Sequence, residues 1–129
     1  MKVSKQENNK EPLPTKTEME VLQVLWQYGS STVRFVHEKV NEQKNVQYTS
    51  TLKLMQLMTE KGMLERDETN MKHIYKPTLE EEKTKGFMLE RFVDSMYNGS
   101  VSNMMMALLG ADKTSKEELE KVKALLKKL

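Results

Sequence analysis

The sequence predicts a mainly α-helical fold with one small β-hairpin, a winged helix-turn-helix followed by a separate helical region. Three observations predict it. Residues 46–78, VQYTSTLKLMQLMTEKGMLERDETNMKHIYKPT, read as one amphipathic helix running into a two-stranded hairpin. Two shorter stretches with three- and four-residue apolar spacing precede it. From Leu79 onward the helical spacing continues with no strand pattern at all.

Each element follows from local chemistry. Residues 1–14 are polar, with prolines at 12 and 14, and predict a disordered arm. The first helix starts behind a capping box of Thr17 with Glu20, and Met19, Leu22, Leu25 and Trp26 recur on one face until Gly29. A second helix starts at Ser31 or Thr32. It turns Val33, Val36 and Val40 towards the core, with His37 on the same side, and leaves Arg34, Glu38 and Lys39 outside. Asn41 to Gln47 is a turn. On the third helix Leu52, Leu54, Met55 and Met58 share a side with Thr51, while Thr49, Lys53, Gln56 and Glu60 share the other. Gly62 closes this helix. Met63 to Asp67 alternates loosely, polar Glu68 to Lys72 makes a turn, and His73 to Lys76 returns to Pro77. Three short helices and a hairpin form one domain over residues 15–78.

Residues 79–129 are of another kind. A charged run from Glu80 to Lys85 leads into Phe87, Leu89, Phe92, Val93, Met96 and Tyr97, and Asn98-Gly99 breaks the helix. Val101 to Leu109 is a short apolar helix ending at Gly110. The last helix, Ser115 to Leu129, spaces Leu119, Val122, Leu126 and Leu129 as in a heptad. So apolar a tail has too little partner surface in a small domain that already has its own core. Pairing of two copies is the economical solution, with Phe87, Phe92, Met96, Leu119, Val122, Leu126 and Leu129 at the seam.

Composition narrows the classes. The chain has 129 residues and no cysteine, which excludes disulfides, thiolate metal sites and cysteine nucleophiles and points to a reducing compartment. No apolar run approaches the length of about eighteen residues needed for a membrane span, and the N-terminus lacks the apolar core of a signal peptide. A cytoplasmic protein without membrane insertion is expected. Net charge is only +2, so charge alone does not argue for nucleic acid. The basic excess lies in residues 1–78, with twelve Lys and Arg against ten Asp and Glu, while residues 79–129 hold nine of each.

The third helix carries the candidate site. Its outer face offers short hydrogen-bonding side chains and one lysine, which suits base edges and phosphates. Lys53 and Gln56 are the leading candidates for DNA contact, against the plainer reading of a solvated helix face. Thr49 has two compatible roles, N-cap and phosphate neighbour. Tyr48 is a phosphate candidate, Ser50 borders the outer face, and Thr51 points inward. In the wing, Lys72 and His73 approach the DNA backbone, and Arg66 has the plainer option of pairing with a nearby carboxylate. The eleven methionines, Met104-Met105-Met106 among them, are read as adaptable core and interface filler rather than soft-metal ligands. His37 and His73 belong to different elements and do not make a zinc site. No cofactor is expected, and no nucleophile, paired-carboxylate or phosphate-loop motif points to an enzyme.

The chain resembles the penicillinase and methicillin-resistance repressors, the BlaI/MecI family. LPTKTEMEVLQVLWQYG is similar to the family's opening motif, STVRFVHEKV to its second helix, YTSTLKLMQLMTEKGML to its recognition-helix motif ending in Lys-Gly, and YKPT to the strand closing the wing. The four occur in order and at natural spacing, and the resemblance spans residues 13–109. It departs at Gln56 and Leu57, where the family has two basic residues. It also lacks the C-terminal cysteines of the copper-regulating branch. The resemblance implies a dimeric transcriptional repressor of a resistance or sensor operon, bound to palindromic double-stranded operator DNA. It further implies a membrane-embedded zinc-metallopeptidase sensor that triggers cleavage in the dimerisation region. Counted from the family's aromatic-Gly-Gly element, here Tyr97-Asn98-Gly99, the scissile bond falls at Ala107-Leu108. The family's Asn-Phe pair is absent, and Asn103-Met104 is the second choice. The alternative from another class is a winged-helix module that binds a protein partner.

Overall fold

Thr15 starts the first helix. Its hydroxyl accepts from the Glu18 backbone N–H at 3.3 Å, and its own N–H donates to Glu18 Oε1 at 2.9 Å. The capping box is therefore Thr15 with Glu18, two residues before the expected Thr17 with Glu20. Both pairs fit the same pattern. Burial decides between them, because Glu18 faces inward at 3% exposure, whereas Glu20 reaches out to Lys44. The computed structural model describes residues 13–69, 71–110 and 115–128. Of the arm expected over residues 1–14, residues 1–12 lie outside that set, and Pro14 is buried.

The elements run α1 (Lys16–Tyr28), α2 (Val33–Asn41), α3 (Tyr48–Glu60), β1 (Leu64–Asp67), β2 (Ile74–Pro77), α4 (Glu81–Tyr97), α5 (Val101–Leu109) and α6 (Lys116–Lys128). This is the mainly helical winged-helix layout that the sequence predicts. Thr32 caps α2 by accepting from the Phe35 N–H. Before α3 stands Gln47, which makes no side-chain cap. Thr49 is thus inside the helix, not its N-cap, because α3 starts at Tyr48, two residues earlier than a cap at Thr49 would place it. The strands pair antiparallel, Glu65 opposite Lys76 and Arg66 opposite Tyr75. A third segment joins them. The Ser31 N–H donates to the Tyr75 carbonyl at 3.0 Å, and the Tyr75 N–H returns to the Ser31 carbonyl at 2.8 Å, tying the wing to the residue just before α2 and its cap.

The core of this part is Val21, Leu22 and Leu25 of α1, Val33, Val36 and Val40 of α2, Met55 and Met58 of α3, then Met63, Leu64 and Tyr75. Each fully buried large side chain contributes about 1.5–3 kcal/mol. Val21 was not among the expected core positions; Met19 and Trp26, which were, are half-buried. Leu52 and Leu54 are likewise only partly covered, and the inner stripe of α3 is Thr51, Met55 and Met58.

The chain divides into two compact units, with the boundary between Phe87 and Met88, inside α4. The hairpin ends earlier, at Pro77, but the next residues remain with the first unit. The Trp26 indole donates to the Leu79 carbonyl at 3.0 Å, Lys85 lies over the Trp26 ring, and Thr84 is buried.

In the second unit, Asn98 and Gly99 take φ of 50° and 81° and end α4, where glycine relieves the strain of a left-handed turn. Ser100 caps α5 and Ser115 caps α6. No residue of α5 or of the described part of α6 is buried. Phe92, Met96 and Leu126 are exposed, Phe87, Leu119 and Val122 half-buried, and Leu129 lies outside the described residues. Among the described residues no helix is long and apolar enough to cross a membrane.

Candidate nucleic-acid interface

Helices α2 and α3 with their turn form a helix-turn-helix. The Asn41 side chain accepts from the Val46 N–H at 2.9 Å and fixes the turn. Three contacts then hold the helices together. His37 Nδ1 and the buried Thr51 hydroxyl are 3.1 Å apart, the Tyr48 ring stands edge-on to His37 at 5.5 Å, and the Arg34 guanidinium carbon lies 5.4 Å from the Tyr48 centroid. With no side-chain cap on α3, its first residue is held by two side chains of α2 instead.

With Thr51, Met55 and Met58 packed inward, helical periodicity turns Lys53 to the centre of the outer arc. Thr49 and Gln56 flank it on one side, Ser50 and Leu57 on the other, and all five are exposed. At the far end of α3, Lys61 Nζ donates to Glu18 Oε2 at 2.7 Å. Burial works to raise the Glu18 carboxyl, but the hydrogen bonds from Lys61 and from the Thr15 amide outweigh it and hold the group below its ordinary value. This pair ties the start of α1 to the end of α3.

The wing brings Lys72 and His73 to a cleft of about 350 Å³ whose other walls include Arg34, Tyr48 and Leu52. The expected site residues therefore separate into two sets: Tyr48, Lys72 and His73 share the cleft, while Thr49, Lys53 and Gln56 share the outer face of α3. Ser50 lies on the other flank of that outer face and also borders a groove with Thr17 and Leu54. Arg66 is engaged by Tyr75 and by Glu68, the latter at 3.0 Å, so it is held within the hairpin as its plainer reading suggested.

Ion pairing follows the same division. In residues 13–87, Lys39, Lys44, Lys61, Arg66, Lys76 and Lys85 each meet a carboxylate. Lys16, Arg34, Lys53 and Lys72 meet none among the described residues, and three of these four lie on α3 or the cleft beside it. A side chain that sequence reasoning left out, Arg34, is thus on this surface. So is Leu57, an apolar residue 43% exposed on the outer arc of α3.

A family model described as the penicillinase repressor matches residues 14–128, nearly the whole chain. The chain belongs to the penicillinase repressor family. Membership makes it a DNA-binding regulator of transcription of the repressor type. It is 22% identical over 115 residues to the penicillinase repressor of Bacillus licheniformis, covering 89% of this chain and 90% of that protein. To the methicillin resistance regulatory protein MecI of Staphylococcus aureus strain N315 it is 22% identical over 111 residues, covering 86% and 90%. A MecI protein of Mammaliicoccus sciuri stands at 21% over the same length. These relatives are regulators rather than enzymes.

Proposed function

We propose that the protein is a dimeric repressor of a resistance or sensor operon that places α3 of each copy in the major groove of a palindromic operator. The observation that carries this reading is the outer face of α3. Thr49, Lys53 and Gln56 are exposed and without a partner among the described residues, on a helix whose inner face is fully occupied. Lys53 reaches phosphate or a guanine edge, Gln56 reads a base edge, and Tyr48, Thr49 and Ser50 meet the strand at the start of the helix. Lys72 and His73 meet the backbone from the wing. The test is binding of operator-sized duplex as a function of salt. Lys53→Ala and Lys72→Ala each lower affinity and flatten the salt slope by about 0.9 per lost phosphate contact, and Gln56→Ala changes base preference. Unchanged affinity and slope in all three would assign DNA binding to another face.

The second unit is proposed as the dimerisation module. Leu89, Phe92, Met96, Leu125 and Leu126 are apolar and between 47% and 63% exposed in the single chain, a surface that a second copy covers with little further cost. Relief of repression is proposed to follow cleavage in α5, at Ala107-Leu108 or else Asn103-Met104, by a membrane-embedded zinc-metallopeptidase sensor. Ala107 and Leu108 are exposed but helical. A peptidase needs extended chain, so local opening of α5 precedes the cut. A severed tail lowers the effective concentration of the second half-site, and release follows without any change in the DNA-binding face. Mass spectrometry of the repressor from induced cells tests this; an intact chain under full derepression would refute it.

A further inference from the structure

We propose that the cleft between α2 and the wing is a seat for one backbone phosphate of the DNA, with Arg34 as its principal ligand and Lys72 opposite. The inference rests on the DNA-binding reading above and adds a contact made from α2, outside both α3 and the wing. The cleft has about 350 Å³ of space, ample for a phosphodiester group, and Arg34, Lys72 and His73 all line it. No carboxylate lines it; His73 Nε2 is 3.9 Å from the Glu68 carboxylate, whereas neither Arg34 nor Lys72 has a carboxylate partner among the described residues. Where a carboxylate pairs a cation in this unit, the charge is spent within the fold. At Arg34 and Lys72 it is not.

The way Arg34 is held explains why it, more than a surface lysine, suits this task. Its guanidinium lies over the Tyr48 ring at 5.4 Å, and His37 stands against the same ring at 5.5 Å. A cation held near the ring face keeps its N–H groups to donate, and a guanidinium can offer two of them together to two phosphate oxygens. Arg34 is also the second residue of α2, where the positive end of the helix adds to its charge. Tyr48, meanwhile, is the first residue of α3. The side chain that would hold the phosphate therefore also holds the start of the reading helix, so that seating the backbone sets the height of α3 in the groove.

The experiment uses the full chain and a duplex selected from a random-sequence pool by the wild-type protein, with binding followed by fluorescence anisotropy from 50 to 300 mM salt. Arg34→Ala is expected to weaken binding roughly tenfold on all sequences alike, as for loss of a charged hydrogen bond. It should flatten the salt slope by about 0.9, so that raising salt from 50 to 200 mM costs it about 3.5-fold less affinity than wild type. Arg34→Lys keeps the slope but not the full affinity. Single methylphosphonate substitutions in the duplex should reveal one phosphate whose neutralisation weakens wild type and leaves Arg34→Ala unaffected. Lys44→Ala, at a lysine paired with Glu20, serves as the control and changes neither quantity. If circular dichroism shows that alanine loosens the fold, Arg34→Gln, which retains the stem against Tyr48, carries the same comparison. A steep wild-type slope that the Arg34 variants leave unchanged, or no phosphate with this pattern, would reduce Arg34 to a packing partner of Tyr48 and overturn the proposal. Absence of salt-dependent duplex binding by wild type would remove the DNA-binding reading itself, and the cleft proposal with it.

Discussion

Helices α3 and α6 are both thirteen residues long and both amphipathic, yet α3 buries Thr51, Met55 and Met58 while α6 buries nothing. The difference separates two uses of an amphipathic helix. In α3 the apolar stripe is satisfied within its own unit, so the polar face is what remains to meet another molecule. In α6 the apolar stripe is itself unsatisfied, with Leu125 at 61% and Leu126 at 48% exposure. One helix is built to offer its polar side, the other its apolar side, and this is why the first is proposed to meet DNA and the second another copy of the chain.

The comparison breaks first, and by the largest amount, if core truncation is felt equally in both helices. Met58→Ala is expected to lose about 2–5 kcal/mol of unfolding free energy in denaturant titration. Leu125→Ala should lose less than about 0.5 kcal/mol in protein dilute enough to be monomeric. Next in size is Leu126→Glu, which puts a charge at the proposed seam and should raise the dimer dissociation constant about thirtyfold or more, read by sedimentation. Unaltered sedimentation would move the seam elsewhere.

A smaller effect sharpens the comparison within the first unit. Glu18→Gln weakens the tie between α1 and the end of α3 and should cost about 1–2 kcal/mol at neutral pH. The folded carboxyl is depressed below its ordinary 4.5, so its contribution is present above that value and lost as pH falls through the lower folded one. The variant should therefore be less stable at pH 7, and its stability should fall less than that of wild type as the solution is acidified; parallel pH profiles would contradict the depressed carboxyl. The smallest effect is Gly86→Ala. Gly86 lies within α4, one residue before the unit boundary, and an added Cβ meets nothing within 4 Å. Alanine there should gain about 0.5–1 kcal/mol in thermal unfolding.

Much of this was legible in the sequence because it is local. The hairpin, the inward Val33, Val36 and Val40, and the break at Asn98-Gly99 each follow from spacing or turn chemistry over a few residues. What was not legible depends on partners far along the chain. Thr15-x-x-Glu18 and Thr17-x-x-Glu20 are equivalent as text, and the choice between them rests on the burial of Glu18, where Lys61 meets it from the end of α3. Arg34 read as one exposed cation among many until Tyr48 was found beneath it and Lys72 across the cleft. The outer face of α3 was the easier half of the candidate site, because one helical period generates it. The cleft required three separate elements to be placed.

The short pairing of Ser31 with Tyr75 has a kinetic consequence. Two backbone hydrogen bonds fasten the wing to the residue that precedes α2 and its cap, so the two walls of the cleft are spaced before any DNA arrives. Little chain ordering then remains for the moment of encounter, and the association rate should be set by diffusion and charge rather than by a rearrangement. In stopped-flow mixing, the observed rate should climb in proportion to duplex concentration without levelling off, and the bound state should form in a single phase.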